Sequence, residues 1–383
     1  MKKTFLSLML VCSMVLVGAG CGGTAADDSS SRQESASVSE KSDFSTSKSS
    51  DAASDSSKEN TVRFTDSTDR EVEIPKEISR IAPSGPLAQV VLYTLCPDKL
   101  VGLATEMSDN QAGYIDDAYR SLPVFGNFYG DTLNMEAIMK AKPQIVIDVG
   151  EMKPSAKEDM KGVQDKTGIP SIFVHMELDS MAEAYRTLGK IVGEEEQAEK
   201  LASYVEETLS EVKGKSASIP DADKVKVYYG QGDAGLTAFV KGTVHADVID
   251  AVGGINVADI EQSVRGGASD ISMEQLMLWQ PEVVLFAPGS IYSDAGTRAE
   301  WQGVDAIKNQ KYYEVPQGPY SFMGQPPSVN RIIGLKWLGN LLYPEVYSYD
   351  MNEEIKEFYK LFYHCDLSDE QVDQLLANSK NKE

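Results

Sequence analysis

Residues 134–149 read NMEAIMKAKPQIVIDV, and residues 272–287 read SMEQLMLWQPEVVLFA. Met135, Glu136, Met139, Pro143 and Val146 recur as Met273, Glu274, Met277, Pro281 and Val284, always 138 residues on. A period of that size exceeds any solenoid unit and implies one architecture built twice. Each copy opens with an N-capping residue, Asn134 or Ser272, and places a glutamate in the first helical turn. Apolar residues follow at helical spacing, a proline stops the helix, and a β-branched run reads as a buried strand. This helix–proline–strand unit is the centre of each half of the molecule.

Outward from the first copy, RIAP (80–83), LVGLA (100–104) and SIFVH (171–175) read as short strands, and LAQVVLYTL (87–95) as a helix ended by Cys96-Pro97. TVRFTDSTDREVEIP (61–75) alternates on either side of a polar turn, the pattern of a β-hairpin. Around the second copy, KVKVYYG (224–230) and KYYEVP (311–316) read as strands. HADVIDAVGGINVAD (245–259) reads as a helix closed by glycines and followed by a short strand. VNRIIGLKWLGNLLYP (329–344) is a strongly apolar helix, and 353–363 and 368–378 are two more. Alternation of strand and helix in both halves implies parallel sheets covered on both faces.

Between the halves, segment 179–215 keeps helical spacing through Ala198, Leu201, Val205 and Leu209 after a break at Gly193. Glutamates crowd its start and lysines its end, as the helix dipole favours. The fold class is therefore α/β: two lobes with parallel-type sheets, joined by one long interlobe helix, with a ligand cleft between them. The N-terminal lobe is assigned to 61–178, the interlobe helical segment to 179–215 and the C-terminal lobe to 216–383, so that the binding domain covers about 61–378.

The first 20 residues read as a signal peptide, with Lys2 and Lys3 before an apolar run from Phe5 to Val17 that is short of the ~20 residues a span needs. Gly18, Ala19 and Gly20 directly before Cys21 resemble a bacterial lipobox, although the third residue before the cysteine is usually Leu. Cys21 is the expected lipidation site, which places the protein on the cell membrane, facing the extracytoplasmic side. Residues 21–60 are rich in Ser, Asp, Ala, Lys and Glu and poor in large apolar residues, so they read as a disordered tether. Net charge is −23 with no basic stripe, which argues against nucleic acid as a partner. Cys96 and Cys365 are far apart in sequence and have no metal-like spacing; two free buried thiols are expected, with a disulfide between them as the alternative in an oxidising compartment. GxSxG, HExxH and P-loop motifs are missing, so no enzyme activity and no cofactor are expected.

Ligands of such sheets bind beyond the carboxyl ends of the strands. Here those ends are loops rich in Gly, Ser, Tyr and Gln, a composition suited to recognition. The ordered set RIAP, LCPDKLVG, NMEAIMKAKPQIVI, the long helix, DAVGGINVAD and SMEQLMLWQPEVVLFA resembles the substrate-binding lipoproteins of ABC importers for iron complexes (siderophore or haem) and cobalamin. The resemblance spans roughly residues 61–378. It implies two lobes on a hinge that moves little, a permease and its ATPase as partners, and a monomer carrying a small-molecule ligand, expected to be a metal chelate. It also implies that each lobe presents a glutamate to arginine pockets on the permease, at Glu136 and Glu274. A glutamate in a first turn also stabilises the dipole without any partner.

Candidate ligand contacts follow from position. Ser84 and Gly85 end the first strand of the N-terminal lobe and offer hydroxyl and backbone N–H groups, or form an ordinary turn. Arg265, flanked by glycines, suits a carboxylate or oxyanion, or stands on the surface. Tyr320 and Phe322 lie on a Pro/Gly-stiffened loop from which an aromatic stacks on a flat ligand or packs on its own lobe; Tyr292 and Trp301 follow the same logic. His175 ends a strand near the cleft, but neither His245 nor His364 is placed to join it in a metal cage, so no metal site is assigned. Two alternatives stand beside the iron-complex or corrinoid reading: a binder of an oxyanion such as molybdate or tungstate, and a sensing or adhesion lipoprotein without a transport role.

Overall fold

The computed structural model describes residues 60–381 except Asp131 and Arg265. The signal peptide, nearly all of the tether and Cys21 lie outside these residues.

The N-terminal lobe opens with an antiparallel hairpin, β1 (Thr61–Thr65) and β2 (Glu71–Pro75), followed by β3 (Ile81–Pro83) and α1 (Pro86–Leu95). A short α2 (Asp117–Arg120) precedes α3 (Met135–Ala141), β4 (Ile145–Gly150), α4 (Ala156–Thr167) and β5 (Ser171–His175). β4 is the central strand of a parallel β3-β4-β5 sheet. The hairpin docks on β5 through Asp66, whose buried carboxylate accepts from Thr68 and Arg70 and from the backbone N–H of Phe173. LVGLA makes only single bridges, Ile81 to Leu100 and Leu103 to Val124. Its chain leaves the sheet because the Gln89 side chain takes the N–H groups of Ala104 and Thr105, at 2.7 and 3.0 Å.

Helices α5 (Met181–Val192) and α6 (Glu195–Ala217) join the lobes, with Gly193 at φ 71° making the left-handed turn that a Cβ would strain. Arg186 braces the pair by bridging to Glu199 at 2.8 Å and Glu206 at 2.6 Å. The start of α6 is tied to the N-terminal lobe by Lys99–Glu194 at 2.8 Å. Its end is tied to the C-terminal lobe by Lys215, which donates to Tyr347 O and lies over the Tyr349 ring.

The C-terminal lobe comprises β6 (Lys226–Gln231), β7 (Thr237–Phe239), α7 (Asp247–Ala251), β8 (Ile255–Asn256), β9 (Ala268–Asp270), α8 (Met273–Trp279), β10 (Val283–Phe286), α9 (Tyr292–Ala295), α10 (Asp305–Lys308) and β11 (Tyr312–Glu314). Helices α11 (Asn330–Leu342), α12 (Pro344–Tyr347), α13 (Met351–Phe362) and α14 (Asp369–Leu375) complete it. Its sheet is mixed. β10 sits between β11 and β6 in parallel, whereas β7 and β9 run antiparallel, because glycines in the 232–235 loop turn the chain straight back.

The two repeat copies are built alike to the ends of their helices. Asn134 and Ser272 cap the N–H groups of Ala137 and Gln275, and Lys142 and Gln280 close the helices in the left-handed region at φ 48° and 46°. Each following strand is the middle of a parallel trio. The main core is continuous through both lobes: α1, α5, α6, α11 and α13 contribute to one apolar cluster. α13 reaches back to the N-terminal lobe, where Tyr359 meets Tyr114, and to α5, where Phe362 meets Tyr185.

Candidate functional site

Loops that follow the strands of one lobe meet residues of the other. Tyr114 of the N-terminal lobe closes on the backbone of Gly318. The Tyr320 hydroxyl engages Gln89 of α1 and Gln111. On the α6 side, Glu177 and Leu178 stand across a cavity of about 820 Å³ from Val244 and Asp247. Glu151, just past β4, acts electrostatically on His245 of the opposite lobe.

On the N-terminal side, Ser84 and Gly85 follow β3. A Cβ added at Gly85 would meet no atom within 4 Å, so this backbone borders open space. The Ser84 hydroxyl is buried and donates to Asp148, which also accepts from Tyr129. Asp148 lies in the β4 run, and its donors there are neutral hydroxyls. Burial raises its pKa above the ordinary carboxyl value, against the lowering effect of those hydroxyls. His175 is half-buried with Nε2 3.9 Å from Glu177, and its buried Nδ1 has no hydrogen-bond partner among the described residues.

On the C-terminal side, His245 Nδ1–H donates to Gly324 O at 2.5 Å and its ring stacks on Phe239. Burial lowers its pKa. Gln325 donates to Gln231 across the β6 end at 2.9 Å. Arg331 of α11, fully buried, pairs with Asp247. Burial pushes the Asp247 carboxyl up to about 6 against the opposing pull of the guanidinium.

The aromatic candidates are turned inward. Trp301 is 1% exposed and packs edge-on against Phe286 at 5.1 Å. Phe322 is fully buried in the main core, and Tyr320 lies between the lobes with its ring near Tyr363. Tyr292 is half-buried beside Tyr312 at 5.6 Å. The rings of Tyr320 and Phe322 are covered because the loop after β11 folds back onto α11, and Trp301 is buried in a separate core of its own lobe, with Tyr292 packed against it. Arg265 lies outside the described residues. Glu136 and Glu274 are exposed, and among the described residues neither makes an ion pair with a basic side chain. Asp148 and the pairing of Arg331 with Asp247 are features of the cleft region that sequence reasoning missed, whereas His245 was set aside there only as a metal ligand. Only Asp148, a carboxylate within a β-branched run, carried a visible signal. Among the described residues no group of three or more His, Cys, Asp or Glu is placed to hold a metal ion, and no helix is long and apolar enough to cross a membrane.

A family model described as periplasmic binding protein matches residues 91–319. An ABC transporter solute binding protein from Sulfurospirillum deleyianum is 29% identical, covers 82% of this chain and 99% of its own, and superposes with a TM-score of 0.76. A periplasmic solute binding protein from Veillonella parvula is 27% identical, with coverages of 84% and 98% and a TM-score of 0.68. The molybdate periplasmic binding protein MolA of Haemophilus influenzae, solved with molybdate, shares the fold at 19% identity, with coverages of 80% and 99% and a TM-score of 0.66. No curated protein matches the chain.

Proposed function

Because the chain belongs to the periplasmic binding protein family, we propose that it is the membrane-anchored receptor of an ABC importer for a metal chelate, delivering an iron complex (siderophore or haem) or a corrinoid to the permease. What supports the reading is the fold: two lobes, each with a parallel trio, joined by α5 and α6, with loops beyond the strands meeting the opposite lobe. The recognition groups we assign to it are Ser84, Gly85, Glu151, His175, His245 and Arg265, with Tyr292 at its edge. Cys21 carries the lipid. Glu136 and Glu274 dock the permease, each offering an exposed carboxylate from the same position of a repeated unit.

Electrostatics favours a chelate over a bare oxyanion such as the one MolA binds. The buried guanidinium of the region, Arg331, is already neutralised by Asp247. Glu151, Glu177 and Asp179 add negative charge around the opening. Calorimetric titration of the purified chain with ferric siderophores, haem, cobalamin and molybdate tests the reading. Saturable one-to-one binding of a metal complex is expected. Binding of molybdate with silence towards every complex would overturn the choice of ligand.

A further inference from the structure

Seven large apolar side chains are well exposed among the described residues, and the two most exposed are Met139 at 71% and Leu278 at 78%. Both lie on the repeat helices, Met139 on α3 and Leu278 on α8. Met139 follows Glu136 by three residues, and Leu278 follows Glu274 by four. Spacings of three and four put both residues of a pair side by side on a helix surface. Each lobe therefore displays one exposed carboxylate beside one exposed apolar side chain on the same helix of the repeated unit, one helical position apart in the two copies.

Neither exposure serves the fold. The inward positions Ile138 and Leu276 are buried at 1% and 0% and hold each helix to its lobe. Met277, which aligns with Met139, packs against Gly303. The apolar contact in the C-terminal lobe has thus moved one residue on to Leu278, yet remains beside Glu274. Dipole stabilisation accounts for a first-turn glutamate but not for an exposed Met or Leu next to it. A duplicated display fits a partner that is itself duplicated, with two like surfaces related by a twofold axis.

We infer that Met139 and Leu278 are apolar plugs of the permease interface, each seated in an apolar socket beside the cationic group that receives Glu136 or Glu274. The inference rests on the docking role proposed above. The partner is the twofold permease of the importer, with two sockets that each combine one positive charge and one apolar depression. Charge steers the encounter and the buried plugs slow its dissociation.

The test is binding of the full mature chain to its permease–ATPase complex in nanodiscs, measured at low and high salt. Four forms are compared: wild type, Met139→Ser with Leu278→Ser, Glu136→Ala with Glu274→Ala, and all four together. Thermal unfolding and ligand affinity provide the folding control, and both are expected to be unchanged. The Ser pair should weaken binding by about tenfold per side chain at both salt concentrations, as burial of one apolar side chain implies. The Ala pair should weaken it chiefly at low salt. If the Ala pair weakens binding and the Ser pair does not, the plugs are refuted and the glutamate docking role stands. If neither pair has an effect, or wild type does not bind, both are refuted.

Discussion

Asp148 is a carboxylate placed in a strand whose other side chains are apolar, and its partners Ser84 and Tyr129 supply hydroxyls. Burial raises its folded pKa. The folded state then holds the proton more tightly than the unfolded chain, so this group's contribution is complete below the ordinary value of about 3.9 and is lost as pH rises through the elevated value. Thermal unfolding across about pH 4 to 7 should therefore show wild type losing stability relative to Asp148→Asn as pH rises. Parallel curves for the two proteins would contradict this assignment. Asp247 is a different case, because its partner Arg331 is 2% exposed. Asp247→Ala leaves a buried guanidinium without a counter-ion and should cost about 3–5 kcal/mol in urea unfolding. Adding Arg331→Met should recover much of that loss, since the pair itself contributes little net stability.

At the scale of elements, α5 and α6 meet closely where Gly189 faces Ala198. A Cβ at position 189 would lie 2.4 Å from the Ala198 Cβ. Gly189→Ala should therefore cost about 1–3 kcal/mol, read as a lower denaturant midpoint, because the crossing must open. Much of this level was legible in the sequence. Periodicity, Gly193 and the charge gradient marked the interlobe helices, and Asn134, Ser272, Pro143 and Pro281 marked both repeat helices. The strand read at 100–104 forms only single bridges, and at its end a side chain 15 residues earlier, Gln89, takes the N–H of Ala104. No local pattern reports such a capture. The inward turn of Tyr320, Phe322 and Trp301 was illegible for the same reason: a loop's composition names the residues it carries but not the face that the fold buries. The contacts of His245 and Arg331 escaped because their partners Gly324 and Asp247 are distant in sequence, and only the assembled lobe brings them together.

For the whole molecule, the continuity of the core matters most. One apolar cluster runs from Val72 of the hairpin to Leu376 at the end of the chain, and α13 adds an aromatic contact to the N-terminal lobe. Lobes that share a core should unfold together. Calorimetry of the domain should show one transition with matching calorimetric and van't Hoff enthalpies, whereas two resolved transitions would mean that the lobes are independent. The same continuity suits a receptor whose two docking points must keep a fixed separation while the cleft takes up ligand. Glu136 and Glu274 belong to separate lobes but to one repeated unit, and the delivery role proposed here rests on them. The most direct measurement is uptake of the metal chelate by cells carrying Glu136→Ala with Glu274→Ala, alongside the purified variant's ligand affinity. Uptake should be abolished while affinity is unchanged; undiminished uptake would contradict the docking role at the centre of this account.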